Sequence, residues 1–181
     1  MKNSKIVLQP LNEIDRRILE ILRQSLENTF KSAVKVKAQI SSLDYAYVPN
    51  RKQYLASPIL SALGNCKMES VDRCLGIVDV DLYSPGLNFV FGQADISAGM
   101  AIISLNRLRP ERYGMPPNEK IFQERVIKEA IHELGHTYYL NHCSNVKCVM
   151  HFSNSLSDTD LKEVNFCSRC QKKLEEALIK G

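Results

Sequence analysis

His132, Glu133 and His136 fall within five residues of one another, and His142 and Cys143 follow six and seven positions after His136. On a helix, residues four apart sit on one face, so the imidazoles of His132 and His136 can both reach one metal ion at the ~2.0–2.1 Å that zinc requires. Glu133, beside the first ligand, is the natural base for a water held on such a metal. His142 cannot join from the same straight helix, because six more residues carry it roughly 9 Å along the axis and onto another face. The chain must turn back after His136 for the third imidazole to converge. The pattern reads as a catalytic zinc site. An HExxH pentapeptide alone can arise by chance on an amphipathic helix, but the third histidine, Met150 eight residues beyond it and the cysteines behind make coincidence a poor account.

A second metal set overlaps the first. Cys143, Cys148, Cys167 and Cys170 are separated by four, eighteen and two residues. Four thiolates at such spacings suit a closed tetrahedral structural zinc site. Because Cys143 adjoins His142, that metal would help hold the third histidine in place. Cys-x-x-Cys is also a redox motif, but such a motif opens a helix in a βαβ context that residues 160–170 do not show. Cys66 and Cys74 have no metal-type partners nearby and are expected to be ordinary buried thiols.

The elements that position these residues follow from periodicity. A short strand is expected at Ile6 to Leu8, then a helix capped by Asn12 with Ile14, Ile18, Ile21, Leu22 and Leu26 at helical spacing. Alternation predicts a strand over Ala33 to Ile40, and a helix is expected from about Arg51 to Leu63. The apolar run Cys74 to Leu82 reads as a buried strand, followed by strands at Leu87 to Gly92 and Ala101 to Leu105 with a turn at Ser97 to Gly99 between them. Asn118 can cap a long helix that carries the histidines, with Ile127, Ile131, Leu134 and Tyr138 as its core stripe. An amphipathic stretch, Leu174 to Ile179, follows the last cysteine pair. This order predicts an α/β sandwich, a mixed sheet backed by helices, with the metal helix beneath the sheet and bordering a cleft.

At 181 residues the chain suits one compact domain, and a formal net charge of +4 is too small to imply nucleic acid. Lys172, Lys173 and Lys180 near the end are offset by Glu175 and Glu176, which reads as a solvated helix face. The basic start is followed by only three consecutive apolar residues, short of a signal-peptide core, and no apolar run is long enough to cross a bilayer. A cytoplasmic monomer with neither membrane nor nucleic acid as partner is therefore expected. There clustered thiols stay reduced and bind metal.

Three histidines in HExxHxxxxxH followed by a methionine resemble the metzincin clan of zinc peptidases, with its HExxHxxGxxH motif and Met-turn. With Cys143, Cys148, Met150 and the pair Cys167 and Cys170 added, the chain is identified as a member of the archaemetzincin family; Asn88 to Gly92 also looks familial. The resemblance implies one metzincin-like catalytic domain over residues 1–181. Residues 1–136 would form the upper part with a twisted mixed sheet of about five strands and the active-site helix. Residues 137–181 would carry the third histidine, the Met-turn and a C-terminal helix stapled by the structural zinc. It implies two Zn²⁺ per chain: one catalytic on His132, His136 and His142, and one structural on Cys143, Cys148, Cys167 and Cys170. Glu133 would be the general base and Met150 the floor under the metal. The implied activity is hydrolysis of peptide bonds, with a peptide or protein substrate extended along an edge strand at Leu87 to Gln93 and touching Phe89, Phe91 and Gly92.

Three positions need separate reading. Where the clan has glycine, this chain has Tyr139, so either the turn shifts to Asn141 or Tyr139 takes a left-handed conformation costing about 1–2 kcal/mol. That departure keeps open an alternative, a zinc-stabilised peptide-binding protein of the same fold with little or no turnover; an intact Glu133 argues against it. Phe152 stands where some metzincins keep a zinc-reaching tyrosine. His151 either packs outside the cleft or reaches in to stabilise an oxyanion.

Overall fold

Ile6, Val7 and Leu8 carry apolar side chains toward both faces of the chain, which suits a strand covered on both sides; in the computed structural model all three are fully buried. The structure describes residues 5–40, 42–66 and 73–180. In chain order the elements are β1 (Lys5–Pro10), α1 (Arg16–Phe30), β2 (Ala33–Val36), β3 (Tyr47–Val48), β4 (Gln53–Leu55), α2 (Ala56–Ala62), β5 (Arg73–Val78), β6 (Leu82–Tyr83), β7 (Gly92–Asp95), β8 (Met100–Ser104), α3 (Glu119–Thr137), α4 (Leu156–Leu161) and α5 (Ser168–Lys180). Five strands form one mixed sheet in the order β2-β1-β5-β8-β7, parallel except for β7, which runs antiparallel to β8 at the edge. On one face α1 and α3 pack through Leu22, Leu26, Val126, Ala130 and Leu134. On the other, α2 packs through Ile59 and Leu60 against Val7, Cys74 and Ile102. The α/β class, the mixed sheet and the C-terminal helix are as expected, and no described helix is long and apolar enough to cross a membrane.

Several expected elements shift, for local reasons. The first helix is capped by Asp15, whose side chain accepts from the Arg17 N–H, while Asn12 accepts instead from the Asp79 N–H and ties the first loop to the end of β5. The second strand stops at Val36, opposite the stretch where Pro10 ends β1. Residues Gln53–Leu55, expected to be helical, form β4, which pairs with β3 and β6 in a separate three-stranded sheet. The helix behind them starts at Ala56, with Pro58 in the first turn, where its missing N–H costs nothing. The run Cys74 to Leu82 breaks at Asp79 to Asp81, where both aspartates turn aside to pair with Arg109 and Arg107.

The expected strand over Leu87 to Gly92 is absent as such. Gly86, at φ 84°, opens an irregular segment whose Leu87 and Asn88 carbonyls accept from the side chains of Arg51 and Gln53 instead of from a strand ladder. The edge strand begins at Gly92 and continues to Asp95, so the expected edge Leu87 to Gln93 is displaced along the chain. Cys74 is buried as expected; the side chain of Cys66 lies outside the described residues.

Candidate active site

Asn118 caps α3 as expected, accepting from the Ile121 N–H, and the helix runs nineteen residues before ending at Thr137. Its end is built around Tyr139. The Tyr139 N–H donates to the His136 carbonyl and the Leu140 N–H to the Gly135 carbonyl, the paired bonds of a Schellman turn. Such a turn needs a left-handed residue at its corner, and Tyr139 supplies it at φ 64° with its ring mostly in solvent. Of the two alternatives, the chain therefore strains Tyr139 and leaves the turn in place. The reversal buries Leu140 and brings His142 back beside the helix.

The three imidazoles converge. One ring nitrogen from each of His132, His136 and His142 lies within 4.8 Å of the others, a grouping that could hold a metal ion. Orientation is set from behind: His132 Nδ1 is 2.8 Å from the Val149 carbonyl and His136 Nδ1 is 2.7 Å from the Leu140 carbonyl. A carbonyl only accepts, so both Nδ1 atoms carry the proton and both Nε2 atoms present lone pairs. Those Nε2 atoms are 3.2 Å apart. Two lone pairs so close repel unless a cation lies between them. Tetrahedral bonds of ~2.0–2.1 Å put neighbouring ligand nitrogens roughly 3.3 Å apart, so the donor set fits zinc. Burial holds all three histidines below their ordinary pKa, most strongly His132, with the Lys162 charge acting in the same direction. That shift favours the neutral form a metal would need.

Gly135, between the two helix histidines, is where Met150 fits. A Cβ there would stand 2.5 Å from Met150 Sδ, so the missing side chain lets the helix lie directly over the fully buried methionine. Met150 thus lies against the helix between His132 and His136. The ring of Phe152 rests 4.9 Å from that of His142 and offers no hydroxyl to the site. His151 turns away from the cleft: its Nδ1 is 2.8 Å from the Cys143 carbonyl. Together with the Cys143 N–H donating to the Met150 carbonyl, this clamps the peptide that follows His142.

Glu133 is buried at the wall of a cleft of about 640 Å³, which is also lined by the three histidines, Phe89, Phe91, Gly92 and Phe152. A Cβ on Gly92 would come within 2.6 Å of both Glu133 Cγ and the Ile102 carbonyl oxygen. Glycine here lets the edge strand approach the carboxylate. The Phe89 and Phe91 rings meet edge-on at 5.1 Å and form one wall. Burial, and then the like charge of Glu129, push the Glu133 carboxyl up to about 8, while the Lys162 charge draws it down.

That last pair was not foreseen from the sequence. Glu129, one helical turn before Glu133, lines the same cleft, and Lys162, with a fully buried side chain, places Nζ 2.9 Å from Glu129 Oε1. The ion pair is off the axis of a hydrogen bond and leaves the ammonium donors otherwise unmatched among the described residues. An isolated buried charge costs several kcal/mol, so each partner makes the other tolerable in the core. Arg125 holds α4 to α3 through a two-pronged bond to Asp160, 2.7 Å at each contact. The spacing of Glu129 on the metal helix was the only available signal; nothing local marks Lys162 as buried.

The four cysteines also meet. Their Sγ atoms lie within 4.8 Å of one another, with Cys143, Cys148 and Cys170 buried and Cys167 half-buried. Cys143 and Cys167 are 3.8 Å apart, which is the edge of a tetrahedron with bonds of ~2.3 Å, so these sulfurs fit zinc as well. The Asn145 and Cys167 N–H groups donate to Cys143 and Cys148, and Arg169 reaches Cys143 at 3.2 Å. Burial pushes the Cys143 thiol up, but the Asn145 N–H and then Arg169 outweigh it and bring it down to about 6, favouring the thiolate a metal needs.

Residues 9–176 match the model of peptidase family M54. The archaemetzincin of Pyrococcus furiosus is 45% identical over 97% of this chain and 95% of its own, and that of Methanocaldococcus jannaschii is 42% identical over 95% and 93%. The crystal structure of the Methanopyrus kandleri archaemetzincin superposes with a TM-score of 0.85 at 39% identity, covering 98% of this chain and 96% of that one. A protein from Methanocorpusculum labreanum, described as a zinc-dependent peptidase, superposes at 0.86 with 28% identity, covering 93% and 99%. With near-complete coverage in sequence and in fold, the chain belongs to peptidase family M54, the archaemetzincins, a family of metallopeptidases.

Proposed function

We propose that the chain hydrolyses peptide bonds in an extended substrate, with a catalytic zinc on His132, His136 and His142 and Glu133 as general base. The observation that carries this reading is the pair of inward-facing Nε2 lone pairs 3.2 Å apart beside Glu133 in an open cleft. Bound there, zinc would bring the pKa of a water toward ~7 and polarise the carbonyl under attack. Glu133 takes the proton from the attacking water on its carboxylate and delivers it to the leaving amine. The Val149 and Leu140 carbonyls keep the His132 and His136 rings aimed throughout. The substrate backbone pairs with the open edge of β7, with Gly92 passing close to Glu133 and Phe89 and Phe91 as the wall. A second zinc on Cys143, Cys148, Cys167 and Cys170 is structural, giving two per chain, with Met150 supporting the histidine site from below. The protein acts as a monomer in the cytoplasm, the compartment in which its clustered free thiols would stay reduced.

Cleavage of a quenched fluorescent peptide by zinc-loaded protein tests this. Glu133→Ala should lower kcat by about 10²–10⁴-fold with metal content unchanged, and chelation should abolish the wild-type rate until zinc is restored. Peptide binding without zinc-dependent cleavage would overturn the reading in favour of a binding protein.

A further inference from the structure

Beside the cleft lies a shallow depression of about 510 Å³ that the catalytic reading does not use. Arg51, Lys52, Arg107 and Arg112 line it around a single carboxylate, Asp81, so it holds a local excess of positive charge. The four cations come from the loop before β4 and from the turns after β8, which is why no run of sequence betrays them. Asn88 lines both the depression and the cleft, so the two adjoin at this residue.

The cations are not equivalent. Arg107 grips Asp81 with both prongs, at 2.6 and 2.7 Å, and its guanidinium lies 4.3 Å from the centre of the Phe89 ring. Arg51 covers the Tyr83 ring and donates to the Leu87 and Asn88 carbonyls, while Gln53 donates to Asn88 as well. These contacts fix the rim. Arg112 touches Asp81 only at 3.3 Å and stays half-exposed, and Lys52 is exposed with no ion pair among the described residues. Asp81 is already satisfied by Arg107, so Arg112 and Lys52 keep donors and charge for a ligand, on a rim that needs little reordering to receive it.

We infer that this depression is a subsite for substrate carboxylates, engaged by Arg112 and Lys52 when a peptide in the cleft extends past Asn88. The inference rests on the peptidase reading for what occupies the cleft. The carboxylate comes from acidic side chains flanking the cleaved bond or from the free C-terminus of a short peptide.

The test is fluorescence anisotropy with zinc-loaded Glu133→Gln protein and labelled peptides that share one neutral core. One is amidated, one carries three glutamates at the N-terminal end, one carries them at the C-terminal end, and one has a free C-terminal carboxylate. At about 50 mM salt, a carboxylate-bearing peptide should bind about 5- to 20-fold tighter than the amidated neutral one, and at about 0.5 M salt the gain should shrink. A gain from glutamates assigns acidic side chains, and a gain from the free terminus assigns the α-carboxylate. Lys52→Glu combined with Arg112→Glu should erase the gain while leaving the affinity for the neutral peptide unchanged. Equal affinities for all four peptides, or a gain that survives the double substitution, would overturn the subsite. Cleavage of the neutral peptide by wild-type protein is read separately; its absence fails the peptidase reading, while the binding comparison still decides the subsite.

Discussion

The histidine trio and the cysteine quartet are joined by a single peptide bond, between His142 and Cys143, yet they face opposite surroundings. The trio is graded from buried His132 through half-buried His136 to exposed His142, and it opens on the cleft. The quartet has three buried members, with N–H groups donating to the sulfurs of Cys143 and Cys148 and Arg169 donating to that of Cys143. Three ligands with an open side leave room for a water and a substrate; four closed ligands leave room for neither. On the proposed reading one metal chemistry would yield a reactive site and a rivet, and the difference would lie in how many donors the chain supplies and how much water it excludes. A metal on the cysteines would also serve the histidines, because the His151 and Met150 bonds to Cys143 hold the peptide that follows His142.

If that dependence runs one way, breaking the two clusters should have unequal effects. Cys170→Ser should lower the melting temperature by roughly 10 °C or more, a loss of about 3–5 kcal/mol, and should weaken metal retention at the histidines too. His132→Ala should empty only the histidine site and leave the quartet's metal in place. Thermal melts paired with metal analysis of both variants read this directly, and equal losses from the two would refute a one-way dependence.

Glu133 sharpens the contrast through pH. In metal-free protein its carboxyl is pushed up to about 8 by burial and then by Glu129, above its ordinary value of 4.5. Below pH 4.5 both folded and unfolded states hold the proton and the residue costs nothing. Between 4.5 and 8 the unfolded chain releases it first, so folding stability falls as pH rises, and above 8 the loss is complete. Metal-free Glu133→Gln should therefore match the wild type in acid and exceed it by up to about 4–5 kcal/mol above pH 8, as read by denaturant melts. A pH-independent difference would show that burial does not tax this carboxylate.

The two regions were not equally legible. Both candidate sets could be named because their members fall in short local spacings: an i, i+4 pair on one helix, and two pairs of cysteines with two and four residues between their members. The cap at Asn118 and the end of the metal helix are likewise local. What escaped depends on contacts distant in sequence. Gln53–Leu55 becomes a strand because Tyr47–Val48 and Leu82–Tyr83 lie on either side of it, and the Leu87 segment leaves the strand ladder because Arg51 and Gln53 take its carbonyls. Asn12 would cap a helix in isolation, but in the fold it serves Asp79, 67 residues away. Lys162 follows a short polar helix and looks solvent-bound until Glu129 is placed beside it. Local hydrogen-bond chemistry offers alternatives, and tertiary partners choose among them.

Tyr139 offers the smallest effect. Its left-handed backbone carries strain that glycine would relieve, offset in part by the greater freedom of glycine in the unfolded chain. Tyr139→Gly should stabilise the protein by up to about 1 kcal/mol, a rise of roughly 2–4 °C in melting temperature, without changing metal content. A lower melting temperature would mean that the exposed ring contributes more than its backbone costs.

The most direct test of the account counts zinc per chain in the purified protein beside His142→Ala, with peptide cleavage measured on both. The account predicts two zinc ions and zinc-dependent cleavage for the wild type, and one zinc without cleavage for His142→Ala. A single zinc in both proteins, with neither cleaving peptide, would contradict it, since the three histidines would then not assemble a metal site at all.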